Sequence, residues 1–270
     1  MSAPARPVEP RPAASVVIVR ESAPGAPAPL EVWMIRRHES MKFLGGYYAF
    51  PGGRVDAADS TADALACCHG LDLADAETLL SCEDGPPALA FWVTAVRELL
   101  EESGVLLACD TSGRPIDGRR RDLIAGLRKE LMAGTPLPAL LAREGWKYDL
   151  RGLRYLSHFI TPASSPIRFT ARFFLCQAPA DQTPALFTEE TSEAFWIHPG
   201  EGYRRFVAGE MKMAEPAEYG LGYLAQFNSL AELWTSHDDG QLKFQGVGDR
   251  MNALWKDFDW KAKRFPSRTS

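Results

Sequence analysis

The chain is short of the features that mark several common protein classes. Its 270 residues include five cysteines, Cys67, Cys68, Cys82, Cys109 and Cys176, an odd number with no C-x-x-C spacing. That argues against a paired disulfide framework or a zinc ribbon and for a reducing compartment. The run Cys67-Cys68-His69 would point its side chains about 100° apart on a helix. No second cluster completes a metal site there, so these residues read as small buried thiols. No apolar run approaches the ~20 residues of a membrane span, so no membrane partner is expected. Basic charge is not in excess: 30 Lys and Arg stand against 35 Asp and Glu, a net charge of −5. Nucleic acid is therefore not expected as a partner. The opening MSAPARPVEPRPA has no apolar core of a secretory signal, and the chain closes on PSRTS rather than Ser-Lys-Leu. The expected location is the cytoplasm.

What is present is ordinary globular composition, 46% hydrophobic and 24% charged. It suffices for one large domain with additions. Residues 1–12, rich in Pro and Ala, are expected as a disordered tail. Strand-like runs occur at ASVVIVR (14–20), EVWMIRR (31–37), YYAFPGG (47–53), VLLAC (105–109), LRYLSHFIT (153–161), RFTARFFLCQ (168–177) and EAFWIH (193–198). Helical patterns fall between them. Two short helices are expected within residues 57–85. A long helix should run from Pro86–Pro87 to Gly104, with Leu89, Trp92, Val93, Val96, Leu99 and Leu100 on one stripe. Further helices are expected over 117–134, around 138–145 and 200–209, and in the aromatic-rich end. Strands and helices mix without βαβ alternation, so the fold class is α+β.

The end of the long helix poses a question of charge. AVRELLEESGV puts Glu98, Glu101 and Glu102 in its last turns, where the helix dipole disfavours carboxylates. Glu98 and Glu102 are also a like-charged pair four apart. At 100° per residue the three share one face. Such a face is either a solvated acidic surface or a seat for a hard divalent cation, which prefers oxygen donors and keeps substrate phosphates as further ligands. Arg97 is placed to pair with a neighbouring carboxylate.

The string RELLEESGV, residues 97–105, fits R-E-U-x-E-E-x-G-U with U aliphatic, and so resembles the signature helix of the Nudix hydrolases. The upstream half of that signature, a glycine, five residues and an acid, is matched by Gly53 and Asp59 in GGRVDAAD, with Asp where the family usually has Glu. Gly53 and Arg97 stand 44 positions apart where the pattern has 14. Residues 57–85 therefore read as an insertion inside the box, which loop closure penalises only logarithmically. Three stretches are similar to the coenzyme A diphosphatase branch: RRHESMKFLGGYYAFPGGRVDAAD (36–59), the interrupted box, and ITPASSPIRFTARFFLC (160–176). Lys42 stands where the related coenzyme A pattern has Arg. The resemblance extends from about Ala13 to Gly209.

The resemblance implies a Nudix α/β/α sandwich with a mixed central sheet, helical insertions and a C-terminal helical extension. Residues 13–210 would be the hydrolase domain, with insertions at 57–85 and 115–146, and 211–270 an extension packed on it. It implies a Mg2+ or Mn2+ ion held by Glu98, Glu101, Glu102 and the Gly52 carbonyl, with Arg97 orienting a glutamate. A further acid is expected at Glu190, six residues before Trp196, with Glu189 and Glu193 as rivals. Arg37, Lys42 and Gly53 lead into or form the Pro-Gly-Gly turn and are substrate-binding candidates. Strand alternation puts Arg168, Thr170 and Arg172 on one face, so the two arginines read either as a phosphate fork or as surface ion pairs. The inserted helices read as a lid, a homodimer contact or plain structure. The implied reaction is hydrolysis of the diphosphate of coenzyme A or acyl-coenzyme A to 3′,5′-ADP and (acyl-)phosphopantetheine. The alternatives are the same chemistry on another nucleoside diphosphate derivative, NADH or ADP-ribose, and a non-catalytic nucleotide-binding module.

Overall fold

The first apolar run forms the middle of strand β1, Arg11–Glu21, whose residues Ala13–Val19 are all buried. The computed structural model describes residues 8–26, 28–80 and 85–238. Residues 1–7 of the expected tail, Cys82, and residues 239–270 of the expected extension lie outside the described set. β1 already begins at Arg11, within the span expected as a tail. The chain divides into two compact units, Met1–Val17 with Pro51–Phe187 and Ile18–Phe50 with Thr188–Ser270. β1 runs through both.

In the first unit, β4 (Gly52–Arg54) pairs antiparallel with β1 in the register Ala13↔Arg54, Ala14↔Gly53, Ser15↔Gly52. β9 (Phe169–Gln177) lies on the other edge of β1, with β8 (Leu153–Ile160) outside it. The long helix, α3 (Ala88–Ser103), is buried on almost every side rather than along one stripe. Trp92 anchors it, packing on Phe174 and Tyr155 and donating its indole N–H to the Leu153 carbonyl at 3.3 Å. The helix stops at Gly104, which adopts φ +73° and donates its N–H to the Leu100 carbonyl.

Residues 57–85 are not only helical. A 3-10 turn at Ala57–Ser60, α1 (Ala62–Ala66) and α2 (Leu73–Leu80) enclose a two-residue strand, β5 (Cys68–His69). β5 pairs parallel with β7 (Trp146–Asp149), and β6 (Ala108–Asp110) pairs antiparallel with the other edge of β7. The strand expected at 105–109 starts only at Ala108. Upstream, side chains take the backbone groups a ladder would have used. Ser103 Oγ accepts from Val105 N–H, and the Gln182 amide brackets both backbone groups of Leu106 at 2.9 Å. Helices α4 (Arg121–Met132) and α5 (Leu137–Arg143) complete this unit. α1, α2 and α4 pack on α3, and α5 packs on β7.

In the second unit, β2 (Leu30–Arg37) pairs with the end of β1, with β3 (Tyr48–Ala49) and with β10 (Thr191–Ile197). Helices α6 (Pro199–Val207), α7 (Glu215–Leu224) and α8 (Leu230–Asp238) follow. His198, given no role by its sequence context, caps α6 by accepting the N–H groups of Gly200 and Glu201 on Nδ1. The fold is mixed α+β, as the pattern of elements implied.

Candidate functional site

The three glutamates at the end of α3 do not form a solvated face. Glu98 and Glu102 are 8% and 9% exposed, and Glu101 is half-buried. What makes this crowding tolerable is Arg97, one residue before Glu98. Its Nη1 lies 2.9 Å from Glu98 Oε1 and 3.0 Å from Glu101 Oε2. Burial works to lower the Arg97 pKa, but the carboxylates of Glu98, Asp59 and Glu101 outweigh it and hold the guanidinium charged. Burial pushes the Glu98 carboxyl well up against the pull of Arg97, and Glu102 and Glu101 push it further. Burial likewise raises Glu101 against Arg97.

Arg97 is fixed from behind by Asp59. This carboxylate, 0% exposed, takes the guanidinium Nε at 3.0 and 3.1 Å and Nη2 at 3.0 Å. It also accepts from Thr94 Oγ1 and from the Asp56 N–H, both at 2.9 Å. Nη2 further donates to the Arg54 carbonyl at 2.7 Å. The bidentate geometry leaves Arg97 little rotational freedom. Asp59 is the functional residue whose role the sequence pattern left unassigned. The signal was its position six residues after Gly53, counted only as a shortened Glu. Its short side chain suits a 3-10 turn lying directly against α3.

The glycine turn meets the carboxylates from the other side. Gly52 N–H donates to Glu102 Oε2 at 2.7 Å. A Cβ on Gly53 would stand 2.7 Å from the Glu98 carboxyl carbon, so only glycine leaves room for that side chain. Glu98, Glu101, Glu102, Gly52 and Gly53, separated by the insertion, thus come together in one unit. Their oxygen atoms are of the hard kind that Mg2+ and Mn2+ take, and the missing Cβ of Gly53 is what lets the Glu98 carboxylate lie against the turn. Among the described residues no three His, Cys, Asp or Glu side chains already stand as a finished cage. Glu98 and Glu101 are turned onto Arg97 instead.

The other candidates are placed differently. Arg168 and Arg172 do not converge. Arg168 sits just before β9 and donates to the Thr161 and Val8 carbonyls at 2.9 and 2.6 Å. Arg172 is buried over the Phe91 ring and donates to Thr170 Oγ1 at 3.0 Å. That hydroxyl also meets His158 Nε2 at 2.7 Å, and burial together with the Arg172 charge lowers the His158 pKa to about 4. Arg37, Lys42 and Glu190 belong to the second unit. Arg37 Nε donates to the Phe43 carbonyl, Lys42 is exposed, and Glu190 has an exposed side chain and a carbonyl that accepts from His38 N–H. Its rival Glu193 is engaged by Arg36 at 2.8 Å and Tyr48 at 3.2 Å.

Comparison with known proteins gives this geometry a family. Residues 10–224 match the model of the NUDT19 Nudix domain. The chain is 29% identical to the acyl-coenzyme A diphosphatase NUDT19 of Gallus gallus, covering 85% of this chain and 72% of that protein. It is 30% identical to the Homo sapiens protein of the same name, covering 78% of this chain and 65% of that one. The crystal structure of a NUDIX hydrolase from Alicyclobacillus acidocaldarius superposes with TM-score 0.66 at 31% identity, covering 82% of this chain and 93% of that one. Nudix hydrolases generally work with a divalent metal ion and act on small nucleoside diphosphate derivatives. A match that spans both halves of the interrupted box, with the box residues assembled around Arg97, shows that the chain belongs to the NUDT19 Nudix domain family of Nudix hydrolases.

Proposed function

We propose that the chain is a Mg2+- or Mn2+-dependent diphosphatase that cleaves coenzyme A or acyl-coenzyme A into 3′,5′-ADP and (acyl-)phosphopantetheine. The observation that carries this reading is the packing of the buried carboxylates of Glu98 and Glu102 against the Gly52–Gly53 turn, with the half-buried Glu101 joined to Glu98 through Arg97. With the Gly52 carbonyl, these side chains are the proposed metal ligands. The bound ion would neutralise diphosphate charge and acidify water. The chain's own groups do the rest. Asp59 and Arg97 fix the direction of Glu98 and Glu101, and Glu102 fixes the glycine turn. Water adds to one phosphorus, the bridging P–O bond breaks, and a carboxylate of this cluster takes the proton. Glu190 is proposed as a further acid. Arg37, Lys42, Gly53 and Arg172 are proposed on the substrate side, with Arg168 in a supporting place at the start of β9.

The coenzyme A reading is supported by the names of the NUDT19 relatives and by the three similar stretches; Lys42, where the coenzyme A pattern has Arg, departs from that pattern but keeps the charge. Residues 13–210 are proposed as the hydrolase domain and 211–270 as its extension, working in the cytoplasm, with a homodimer as the proposed assembly. No helix among the described residues is long and apolar enough to cross a membrane.

Mass spectrometry of products from coenzyme A, an acyl-coenzyme A, NADH and ADP-ribose, each with Mg2+, tests the proposal. The coenzyme A species should be cleaved fastest, to 3′,5′-ADP, with activity lost in Glu101→Gln/Glu102→Gln. Preferential cleavage of NADH or ADP-ribose would remove the coenzyme A assignment. No cleavage of any of them, with Mn2+ also tried, would favour a nucleotide-binding module.

A further inference from the structure

We propose that Arg128, on helix α4 and outside the glutamate box, is a positioning residue for the carboxylate end of α3. This rests on the reading of Glu98, Glu101 and Glu102 as cation ligands. Arg128 is 8% exposed, and its Nε donates to the main-chain carbonyl of Glu101 at 2.8 Å. Its guanidinium carbon lies 3.4 Å from the centroid of the Phe187 ring. Phe187 in turn abuts the helix stop: a Cβ on Gly104 would stand 3.0 Å from two atoms of that ring.

The last turn of a helix leaves carbonyls without intrahelical partners and carries partial negative charge. Three carboxylates on that turn add to the charge. Three of the last four carbonyls of α3 are met by separate donors. Gly104 N–H reaches Leu100, Ala185 N–H reaches Ser103, and Arg128 reaches Glu101. Only the last of these partners is a cation. Arg128 therefore compensates the helix end through the main chain while fixing the backbone that aims Glu101 and Glu102. Stacking on Phe187 holds the guanidinium plane. An element outside the signature thus sets the geometry of the signature's glutamates.

The positioning role and a bare charge effect have opposite signs. Removing a nearby positive charge alone would strengthen cation binding. Removing a group that fixes the ligands would weaken it, by roughly 10–100-fold for partners that orient metal ligands. The test is Mn2+ titration of the full chain by the EPR signal of the free ion, with circular dichroism to verify folding. Arg128→Met keeps an apolar stem against Phe187, Arg128→Lys keeps the charge, and Leu127→Val loosens α4 from a neighbouring buried position. Arg128→Met should weaken Mn2+ binding at least about tenfold, with Arg128→Lys between it and wild type and Leu127→Val near wild type. Unchanged or tighter binding in Arg128→Met, or equal weakening in Leu127→Val, would overturn the proposal. A wild-type chain with no Mn2+ site would overturn the ligand reading and the proposal together.

Discussion

Glu102→Gln is expected to abolish most of the hydrolytic activity while leaving the fold nearly intact. The amide oxygen of Gln can still accept the Gly52 N–H that Glu102 holds at 2.7 Å, so the contact between α3 and the glycine turn survives. What disappears is one negative charge in a buried cluster proposed to hold a divalent ion. Lewis-acid stabilisation of the transition state is worth several kcal/mol, and each 1.4 kcal/mol is tenfold in rate. The expected loss in kcat is therefore on the order of 10³. Thermal stability should change by less than about 1 kcal/mol, as for a substitution that preserves shape and hydrogen bonding. Steady-state kinetics on the best substrate, with a thermal melt of the same preparation, check both halves. A kcat within tenfold of wild type would remove Glu102 from the site.

Asp59→Asn is expected to do the reverse and act first on stability. Asp59 is fully buried and faces a buried guanidinium with three contacts between 3.0 and 3.1 Å. Breaking a buried ion pair costs about 3–5 kcal/mol when the remaining charge is left alone. Because Glu98 and Glu101 still face Arg97, the expected cost is at the lower end of that range, about 3 kcal/mol. For a domain of this size that is a fall in Tm of roughly 6–12 °C. Asn also presents N–H donors to an arginine that has only donors to offer. One oxygen can keep the Thr94 hydroxyl and the Asp56 N–H, which already share Oδ2, but the oxygen that takes Arg97 Nε at 3.0 Å is replaced by a donor. Activity should fall as well, because Arg97 would no longer hold Glu98 and Glu101 in fixed directions. Differential scanning calorimetry is the measurement. A Tm within about 2 °C of wild type, the effect of less than 1 kcal/mol, would show that Arg97 does not depend on Asp59.

These two residues also mark what the sequence makes legible and what it hides. α3 could be read because its apolar positions recur at helical spacing over many residues and Gly104 supplies its stop. β1, β2, β8 and β9 could be read for the same reason, as long runs of β-branched and aromatic residues. β5 and β7 could not: two and four residues are too few for a period, and β5 exists through its pairing with β7, distant in sequence. The glutamates and Arg97 were legible as a local pattern. The role of Asp59 depends on a chain reversal around an insertion, and that of Arg128 on one carbonyl at a helix end. Neither leaves a periodic trace. Alternation foresaw that Thr170 and Arg172 share a face, but not that Arg168 lies ahead of the strand and is tied to the Thr161 and Val8 carbonyls.

The most direct measurement of the central claim is anomalous diffraction from crystals of the full chain soaked in Mn2+. The account predicts an anomalous peak bounded by carboxylate oxygens of the Glu98, Glu101 and Glu102 cluster and the Gly52 carbonyl, with Arg97 still on Asp59. A Mn2+ peak found only away from the end of α3, in crystals whose dissolved protein hydrolyses a diphosphate substrate, would contradict it.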